Sequence, residues 1–285
     1  MATFTNQATL TYNGNTATSN IVTGEITEIL SATKTALSSC YYLNDCGEAY
    51  VVTLTNTGTS PITDVTVTDN LGAYTLGTLN LVPLTYDEDS VRFFVNGTLQ
   101  ATPTVTVTDG VAFSGITIPA SSNAMLIYKA SVNEFAPLST GSAIENTVTV
   151  TGTGIVNDIT ATDTLNVCEE PRLEITKALT PTVVNDNGQI TYTLTILNYG
   201  NTEADATDNV VITDSFTPIL NNLAVTYNGA AWAQTTNYTY NTETGLFTTV
   251  DGQITVPAAT VTQDTTTGAW TVTPGTSTIV ITGTV

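Results

Sequence analysis

The feature that most constrains the fold is an internal repeat of alternating, threonine-rich segments. The segment from Leu30, LSATKTALSSCYYLNDCGEAYVVTLTNTGTSPITDVTVTDNL, aligns with the segment from Leu173, LEITKALTPTVVNDNGQITYTLTILNYGNTEADATDNVVITDSF. Each copy predicts a strand, a turn, an alternating strand that ends in TNTG or LNYG, and a strand that ends in TD. The repeat therefore predicts an all-β chain of two tandem sandwiches.

The ends of the two copies differ. The first copy continues through STGSAIENTVTVTGTGIVNDITATDTLNV, which predicts a closing hairpin. The second copy extends to the strand TIVITGTV, which ends at Val285. The N-terminal segment FTNQATLTYNGNTATSNIVTGEI repeats the closing-hairpin pattern with no sandwich in front of it. We therefore expect a donor hairpin at 1–28, a complete sandwich at 29–168 and a second sandwich at 169–285 that lacks its last hairpin.

A sandwich without its closing strands exposes unpaired backbone groups and an apolar groove, which favours pairing with a compatible strand. Connectors of about five residues reach at most about 18 Å, whereas a domain of this size is about 30 Å across. We therefore expect the N-terminal hairpin of one molecule to complete the second sandwich of the next. Such a head-to-tail contact generates a fibre unless the rotation closes a ring.

Charge narrows the classes of partner. The 285 residues include 5 basic and 25 acidic side chains, for a formal net charge of -20, which disfavours binding to nucleic acid and to anionic membranes. No apolar run is long enough for membrane insertion, and the start, MATFTNQATL, does not show the layout of a secretory signal. The expected partner is the chain itself, as a homopolymer.

Alternation also places polar residues on inward faces of predicted strands. Within the first sandwich these are Lys34, Asp69 and Asn146; the corresponding set is Lys177 and Asp214 of the second sandwich with Asn6 of the hairpin. A buried ammonium must be paired or neutralised. One interpretation is an ion pair with a hydrogen-bonded amide beside it. The other is a desolvated lysine that attacks the asparagine amide and releases ammonia, which forms an isopeptide bond.

The strands TNTG and VTVTDNL and the segment NTVTVTG resemble the conserved-repeat, immunoglobulin-like domains of bacterial surface proteins, and the inward triad resembles that of isopeptide-forming pilin and adhesin domains. The resemblance implies tandem immunoglobulin-like β-sandwiches on a cell or spore surface. It also implies a bond from Lys34 to Asn146 assisted by Asp69, and one from Lys177 to Asn6 of a neighbouring molecule assisted by Asp214. No sortase-type motif is visible near the C-terminus, which departs from the pilin pattern.

The expected role is a structural subunit of a self-assembling extracellular or spore-surface fibre, and not an enzyme beyond autocatalytic bond formation. The alternative is a monomeric adhesin or carbohydrate-binding module. With no histidine, the usual catalytic bases and the commonest metal ligand are missing, and we expect no cofactor.

Acidic turns offer oxygen ligands for calcium, although local turn chemistry also explains them; they lie at 86–90, 185–189 and 205–209. The three cysteines are Cys40, Cys46 and Cys168. A bridge from Cys40 to Cys46 across the predicted turn is one hypothesis, which leaves Cys168 unpaired or available to another chain. Reduced thiols are the alternative.

Overall fold

The protein is described by a computed structural model that covers residues 2–26, 29–43 and 45–285. Strands dominate these ranges, and the helical structure among them is one 3-10 turn, Ala206–Asp208. No helix in the described ranges has the length and apolar character needed to cross a bilayer. The prediction of an all-β chain is confirmed, as expected for a sequence rich in threonine, valine and isoleucine.

The N-terminal segment forms a long antiparallel ribbon, the N-terminal hairpin. Its strands are β1 (Ala2–Asn6), β2 (Thr9–Tyr12), β3 (Asn15–Thr18) and β4 (Val22–Ile26). Strand β1 pairs with β4, and β2 pairs with β3. Asn13 and Gly14 form the turn with φ values of 47° and 79°, the pair of positive values that a two-residue hairpin turn of type I′ requires. In the described part of the chain, these four strands pair only with one another.

The first sandwich contains the strands that follow the hairpin. They are β5 (Leu30–Ala36), β6 (Cys40–Tyr41), β7 (Glu48–Asn56), β8 (Ile62–Asp69), β9 (Tyr74–Leu76), β10 (Leu79–Leu81), β11 (Leu84–Tyr86), β12 (Arg92–Val95), β13 (Thr98–Leu99), β14 (Thr104–Val107), β15 (Val111–Ile118), β16 (Ser122–Val132), β17 (Ala143–Thr153) and β18 (Ile159–Val167). One sheet has the order β13-β12-β16-β7-β5 with β11 also paired to β16, and the other has the order β14-β15-β8-β17-β18-β6.

These two sheets pack face to face. Alternate residues of β7 and β16 are buried, and so are inward residues of β8, β15 and β17. Aromatic rings meet across the layer, with Tyr128 of one sheet 5.0 Å from Phe113 of the other between ring centroids. The core therefore lies between two sheets whose inner faces were predictable from the period-2 alternation.

The second sandwich contains the remaining strands. They are β19 (Leu173–Thr180), β20 (Gln189–Asn198), β21 (Thr213–Ser215), β22 (Asn221–Tyr227), β23 (Ala230–Trp232), β24 (Tyr238–Tyr240), β25 (Leu246–Thr249), β26 (Thr260–Gln263), β27 (Trp270–Thr273) and β28 (Gly275–Thr284). One sheet has the order β19-β20-β28-β22-β23, the facing sheet has the order β21-β25-β24, and β26 pairs with β27. The core of this sandwich includes Leu194 of β20, Ile281 of β28, Phe216 and Phe247.

The chain divides into two compact units, one of which extends to Pro137 and includes Ala143–Asn166, while the other comprises Leu138–Ser142 and Val167–Val285. The repeat predicted from sequence recurs in the strand register. Leu30 lies opposite Asn56 and Lys34 opposite Val52, and in the second sandwich Leu173 lies opposite Asn198 and Lys177 opposite Leu194. The two lysines therefore occupy equivalent positions.

The asparagine of TNTG and LNYG has the same structural role in both sandwiches. The side-chain amide of Asn56 donates to the carbonyls of Ser60, Ile118 and Pro119, and its oxygen accepts from the Gly58 amide. Asn198 repeats this network with the carbonyls of Thr202, Val256 and Pro257 and the Gly200 amide. Both asparagines are buried. The motif thus ties the end of a central strand to the loops beside it.

The facing sheets of the two sandwiches differ at one edge. In the first sandwich, β8 pairs with β15 on one side and with β17 on the other, and β17 pairs in turn with β18. In the second, β21 pairs with β25, and the described residues provide no strand on its other side. The position filled by β17 and β18 in the first sandwich is therefore open in the second.

The disulfide bridge hypothesised between Cys40 and Cys46, across the CYYLNDC turn, is wrong. Cys40 and Cys168 are the disulfide-bonded residues, and Cys46 is a free, exposed thiol. Cys40 begins β6, which is the neighbour of β18 in the sheet, and Cys168 directly follows β18. Strands β6 and β18 are neighbours in one sheet although they are far apart in sequence, which spacing along the chain does not reveal.

Candidate functional site

The first candidate site is an ion pair enclosed between the two sheets of the first sandwich. Lys34 comes from the middle of β5 and Asp69 from the end of β8. The Lys34 Nζ atom lies 2.5 Å from Asp69 Oδ2, and both side chains are 0% exposed. The sequence predicted both residues to face inward, and the structure brings them into direct contact.

Two further groups hold the Asp69 carboxylate. The Leu71 backbone amide donates to Oδ1 over 2.7 Å, and the Tyr128 hydroxyl donates to Oδ2. Burial, together with the charge of Asp69, raises the pKa of Tyr128 well above its ordinary value, so this phenol stays a proton donor. The carboxylate is thus fixed in orientation, with Oδ2 shared between Lys34 and Tyr128.

Burial also perturbs Lys34. It lowers the pKa of the ammonium from 10.5 to about 8, because desolvation outweighs the opposing charge and hydrogen bond of Asp69. The Nζ atom lies 4.9 Å from the centroid of the Tyr50 ring. A lysine in such surroundings reaches its neutral, nucleophilic form far more readily than one in water.

Asn146, the third predicted residue, lies on β17 and is completely buried. Its Oδ1 atom accepts from the Gly72 backbone amide over 3.1 Å. Its Nδ2 atom has no hydrogen-bond partner in the described structure, and neither has the hydroxyl of Tyr50, whose pKa Asn146 influences. Tyr50 is therefore a common neighbour of Lys34 and Asn146. A buried amide with its oxygen held and its nitrogen unpartnered is a suitable acyl group for a nearby amine.

The second candidate site repeats the ion pair without the enclosure. Lys177 Nζ lies 2.5 Å from Asp214 Oδ2, but the side chains are 40% and 16% exposed. The ammonium lies 4.5 Å from the Tyr192 ring centroid and 5.3 Å from that of Phe216. The aromatic surroundings are retained, and water reaches the pair.

The second site also lacks the tyrosine hydroxyl. Tyr128 lies opposite Tyr50 in the first sandwich, and Ile281 lies opposite Tyr192 at the equivalent position of the second. Ile281 is completely buried. The two sites therefore share a lysine, a carboxylate and an aromatic neighbour, and differ in hydration and in the groups around the carboxylate.

An exposed apolar strip borders Lys177. On β19, Ile175 is 52% exposed and Leu179 is 36% exposed, whereas Ala32 and Ala36 at the equivalent positions of β5 are half-buried. Strand β21, whose edge is open, carries Asp214. The face of β19 that corresponds to the inner face of β5 is thus uncovered.

Asn6, the predicted acyl partner of Lys177, lies at the end of β1 and is exposed. Its grouping with Lys177 and Asp214 stays a prediction. The apolar side chains of the same hairpin are also exposed, with Phe4 at 53%, Leu10 at 63% and Val22 at 55%. A ribbon with these side chains in water has unused apolar surface.

Sequence reasoning missed Tyr128 and Gly72. Tyr128 shares the inward parity of Leu126 and Ala130 on β16, so alternation alone could have placed its hydroxyl in the core. The role of Gly72 depends on a backbone amide and leaves no signal in side-chain patterns. At the acidic turn of 205–209, the Asp205 carboxylate accepts from the Thr207 backbone amide. No cluster of three metal-ligating side chains occurs in the described residues.

No protein-family model matches the sequence, and no curated protein is similar to it. Among solved structures, the chain is similar to the major pilin subunit BcpA of Bacillus cereus, with 12% identity, a TM-score of 0.37 and coverage of 96% of this chain and 73% of that one. It is also similar to a fragment of the major pilin GBS80 of Streptococcus agalactiae, with 14% identity, a TM-score of 0.34 and coverage of 81% and 79%.

A third similar structure is the pilus backbone RrgB of Streptococcus pneumoniae, with 12% identity, a TM-score of 0.34 and coverage of 86% of this chain and 55% of that one. Likeness at this level of identity and overlap does not transfer an activity or an assembly mode from one protein to another.

Proposed function

We propose that the protein is a structural subunit that assembles head to tail into a fibre on the outside of a bacterial cell or spore. In this assembly, the N-terminal hairpin of one copy completes the second sandwich of the next. The observation that carries the proposal is the correspondence between the open edge of the second sandwich and the N-terminal hairpin. The second sandwich has no strands where β17 and β18 close the first, and the N-terminal hairpin has the β17–β18 sequence pattern and pairs only with itself in the described structure.

The register of the first sandwich supports a specific docked arrangement. There, Val148 of β17 lies opposite Asp69, with Asn146 two residues earlier. The aligned hairpin residues are Ala8 and Asn6. In the proposed complex, the same register would put Ala8 opposite Asp214 and direct Asn6 toward Lys177. A shift of one residue would turn the apolar side chains of the hairpin to the solvent, so this register is strongly favoured.

Apolar burial would drive the docking. Phe4 and Leu10 have the same parity in the alternating sequence and are exposed, and the uncovered strip of β19 presents Ile175 and Leu179. Removing an exposed leucine or phenylalanine side chain from water contributes about 1.5–3 kcal/mol. Backbone pairing with the open edge of β21 adds hydrogen bonds that water otherwise satisfies. Because donor and acceptor are different surfaces of one chain, the contact repeats and produces a fibre.

Negative-stain electron microscopy tests this role by comparing the full chain with a chain that lacks residues 2–26. We expect fibres from the full chain and separate particles from the shortened one. Leu10→Asp on the proposed docking face should also prevent fibres, whereas Thr11→Asp on the opposite face is the matched control and should not. Separate particles from the full chain would overturn the proposal and favour a monomeric adhesive module.

We further propose that the first sandwich forms an internal isopeptide bond between Lys34 and Asn146. Lys34 passes a proton to Asp69, and the neutral Nζ attacks the Asn146 side-chain carbonyl carbon, whose oxygen is held by the Gly72 amide. Collapse of the adduct breaks the bond to Nδ2, which leaves as ammonia after taking one proton from the attacking nitrogen. One proton remains on Asp69, so atoms and charge balance without another reactant.

Intact-mass measurement of the reduced, denatured chain tests this bond. We expect the mass of one ammonia to be missing for the first sandwich and restored in Asn146→Ala. Asn123→Ala, at an exposed asparagine of β16, is the control and should retain the loss. A full mass in the wild-type chain would show that Lys34 and Asp69 remain an ion pair.

A further inference from the structure

We infer that docking of the hairpin activates Lys177, so that a covalent link between subunits forms only after they have assembled. This inference rests on the proposed function. Bond formation at the second site then depends on assembly, whereas at the first site it does not. The exposed lysine becomes enclosed only when a second copy of this chain covers it.

The difference in hydration is the basis of the inference. Lys177 and Asp214 are in contact at 2.5 Å with 40% and 16% of their side chains exposed, whereas Lys34 and Asp69 make the same contact at 0% exposure. Water around an ammonium stabilises its charged, non-nucleophilic form. The two sites therefore differ in the exclusion of water from the lysine, which the first sandwich provides and the undocked second sandwich does not.

The docked hairpin would replace that water with apolar groups. In the first sandwich, Asn146 lies opposite Asp163 of β18, and the Asp163 carboxylate accepts from the Ala36 amide. In the hairpin, Asn6 lies opposite Val22. The hairpin thus carries a valine where the first sandwich has a second carboxylate.

Ile281 of β28 also makes the surroundings of the second ion pair less polar. It replaces Tyr128, whose hydroxyl donates to the carboxylate in the first sandwich. Carboxylate charge and hydroxyl donation both favour the charged form of a lysine–aspartate pair. With Val22 and Ile281 in these positions, an enclosed Lys177–Asp214 pair has fewer polar neighbours than the Lys34–Asp69 pair. Docking therefore delivers the acyl group and encloses the amine among apolar side chains.

The bond formed follows the same balance as in the first sandwich. Lys177 transfers a proton to Asp214, and Nζ attacks the side-chain carbonyl carbon of Asn6 from the neighbouring copy. The bond from that carbon to the amide nitrogen breaks, ammonia leaves, and one proton stays on Asp214. The docked complex contains every reactant, and the undocked subunit lacks the acyl group.

Denaturing electrophoresis and intact-mass measurement of the full chain, followed during assembly, test the inference. We expect a ladder of covalent multimers that appears after fibres are visible, with the mass of one ammonia lost for each link. Lys177→Met and Asn6→Ala should assemble into fibres without a ladder. Asn20→Ala, at another exposed asparagine of the hairpin, should retain both.

The docking-deficient Leu10→Asp chain supplies the decisive comparison, because it keeps Lys177, Asp214 and Asn6. We expect no covalent multimers from it. A ladder from this variant in the absence of fibres would overturn the requirement for docking. Wild-type fibres that dissolve entirely to single chains would overturn the covalent link and leave the proposed assembly intact, whereas the absence of wild-type fibres would overturn the assembly itself.

Discussion

The two sandwiches place the same pair of charges in different surroundings. In the first, the closing strands β17 and β18 cover Lys34 and Asp69 and exclude water. In the second, the equivalent edge is open and Lys177 is 40% exposed. The strand register and the aromatic ring beside each lysine, Tyr50 or Tyr192, are retained, so the closing hairpin accounts for the difference in hydration. The exposure of this ion pair thus depends on whether a closing hairpin covers it.

The largest expected difference between the sandwiches is the effect of removing each lysine. Lys34→Ala leaves Asp69 buried without its cation and should lower the free energy of unfolding of the first sandwich by about 3–5 kcal/mol. Lys177→Ala breaks a partly hydrated pair and should lower that of the second sandwich by about 1 kcal/mol or less. Hydrogen exchange of the β7 and β20 amides in the Leu10→Asp background measures each sandwich separately.

Lys129→Ala is the control for this comparison, because Lys129 is an exposed lysine on β16. It should leave the exchange of both strands unchanged. Equal effects of Lys34→Ala and Lys177→Ala would show that the exposure of the second pair does not weaken its contribution, and would remove the basis of the comparison.

A second prediction concerns what the sandwiches share. Asn56→Ala and Asn198→Ala each remove a buried amide that makes the same set of hydrogen bonds to neighbouring loops. Each should lower the stability of its own sandwich by about 2–4 kcal/mol, because several buried backbone groups lose their partners. The same exchange experiment measures both effects. A markedly smaller effect in one sandwich would indicate that its loops reorganise and that the framework is not equivalent.

The strands of the two sandwiches were largely predictable from sequence. The surroundings of the two lysine–aspartate pairs were predictable only in part. Alternation identified the inward parity of Lys34 and Asp69, since it fixes which face of a strand a side chain occupies. The contact between them was a hypothesis until the facing sheets were placed. The repeated TNTG and LNYG ends correctly indicated equivalent strands, although the hydrogen-bond network of Asn56 was not anticipated.

Features that depend on three-dimensional proximity were not predictable. The disulfide state of Cys40 and Cys168 follows from the adjacency of β6 and β18, which are distant in sequence. The contact of Tyr128 with Asp69 depends on how closely the sheets approach. The exposure of Lys177 could be predicted only from the length and pairing of β21. This strand has three residues, Thr213–Ser215, in contrast to the eight residues of β8.

The role of the tyrosine hydroxyl gives a third, smaller prediction. Tyr128→Phe removes one donor from the buried Asp69 carboxylate and should lower the stability of the first sandwich by about 1–2 kcal/mol. Tyr86→Phe is the matched control, because Tyr86 belongs to the same ring cluster and its buried hydroxyl has no partner in the described structure. Tyr86→Phe should be nearly neutral. Equal losses would indicate that ring packing, and not the hydroxyl, distinguishes this site from that of Ile281.

The smallest expected effect is the pH dependence of bond formation in the first sandwich. The pKa of Lys34 is lowered to about 8, so the neutral amine is a minor species below that pH and the major one above it. Proton transfer from Lys34 to Asp69 leaves the number of protons on the pair unchanged, so the rate of ammonia loss during refolding should stay nearly level below pH 8. Intact mass at timed intervals measures this rate, with the Asn146→Ala chain as the blank. A rate that rises by about tenfold per pH unit below pH 8 would show that loss of a proton to water, and not transfer within the Lys34–Asp69 pair, generates the nucleophile.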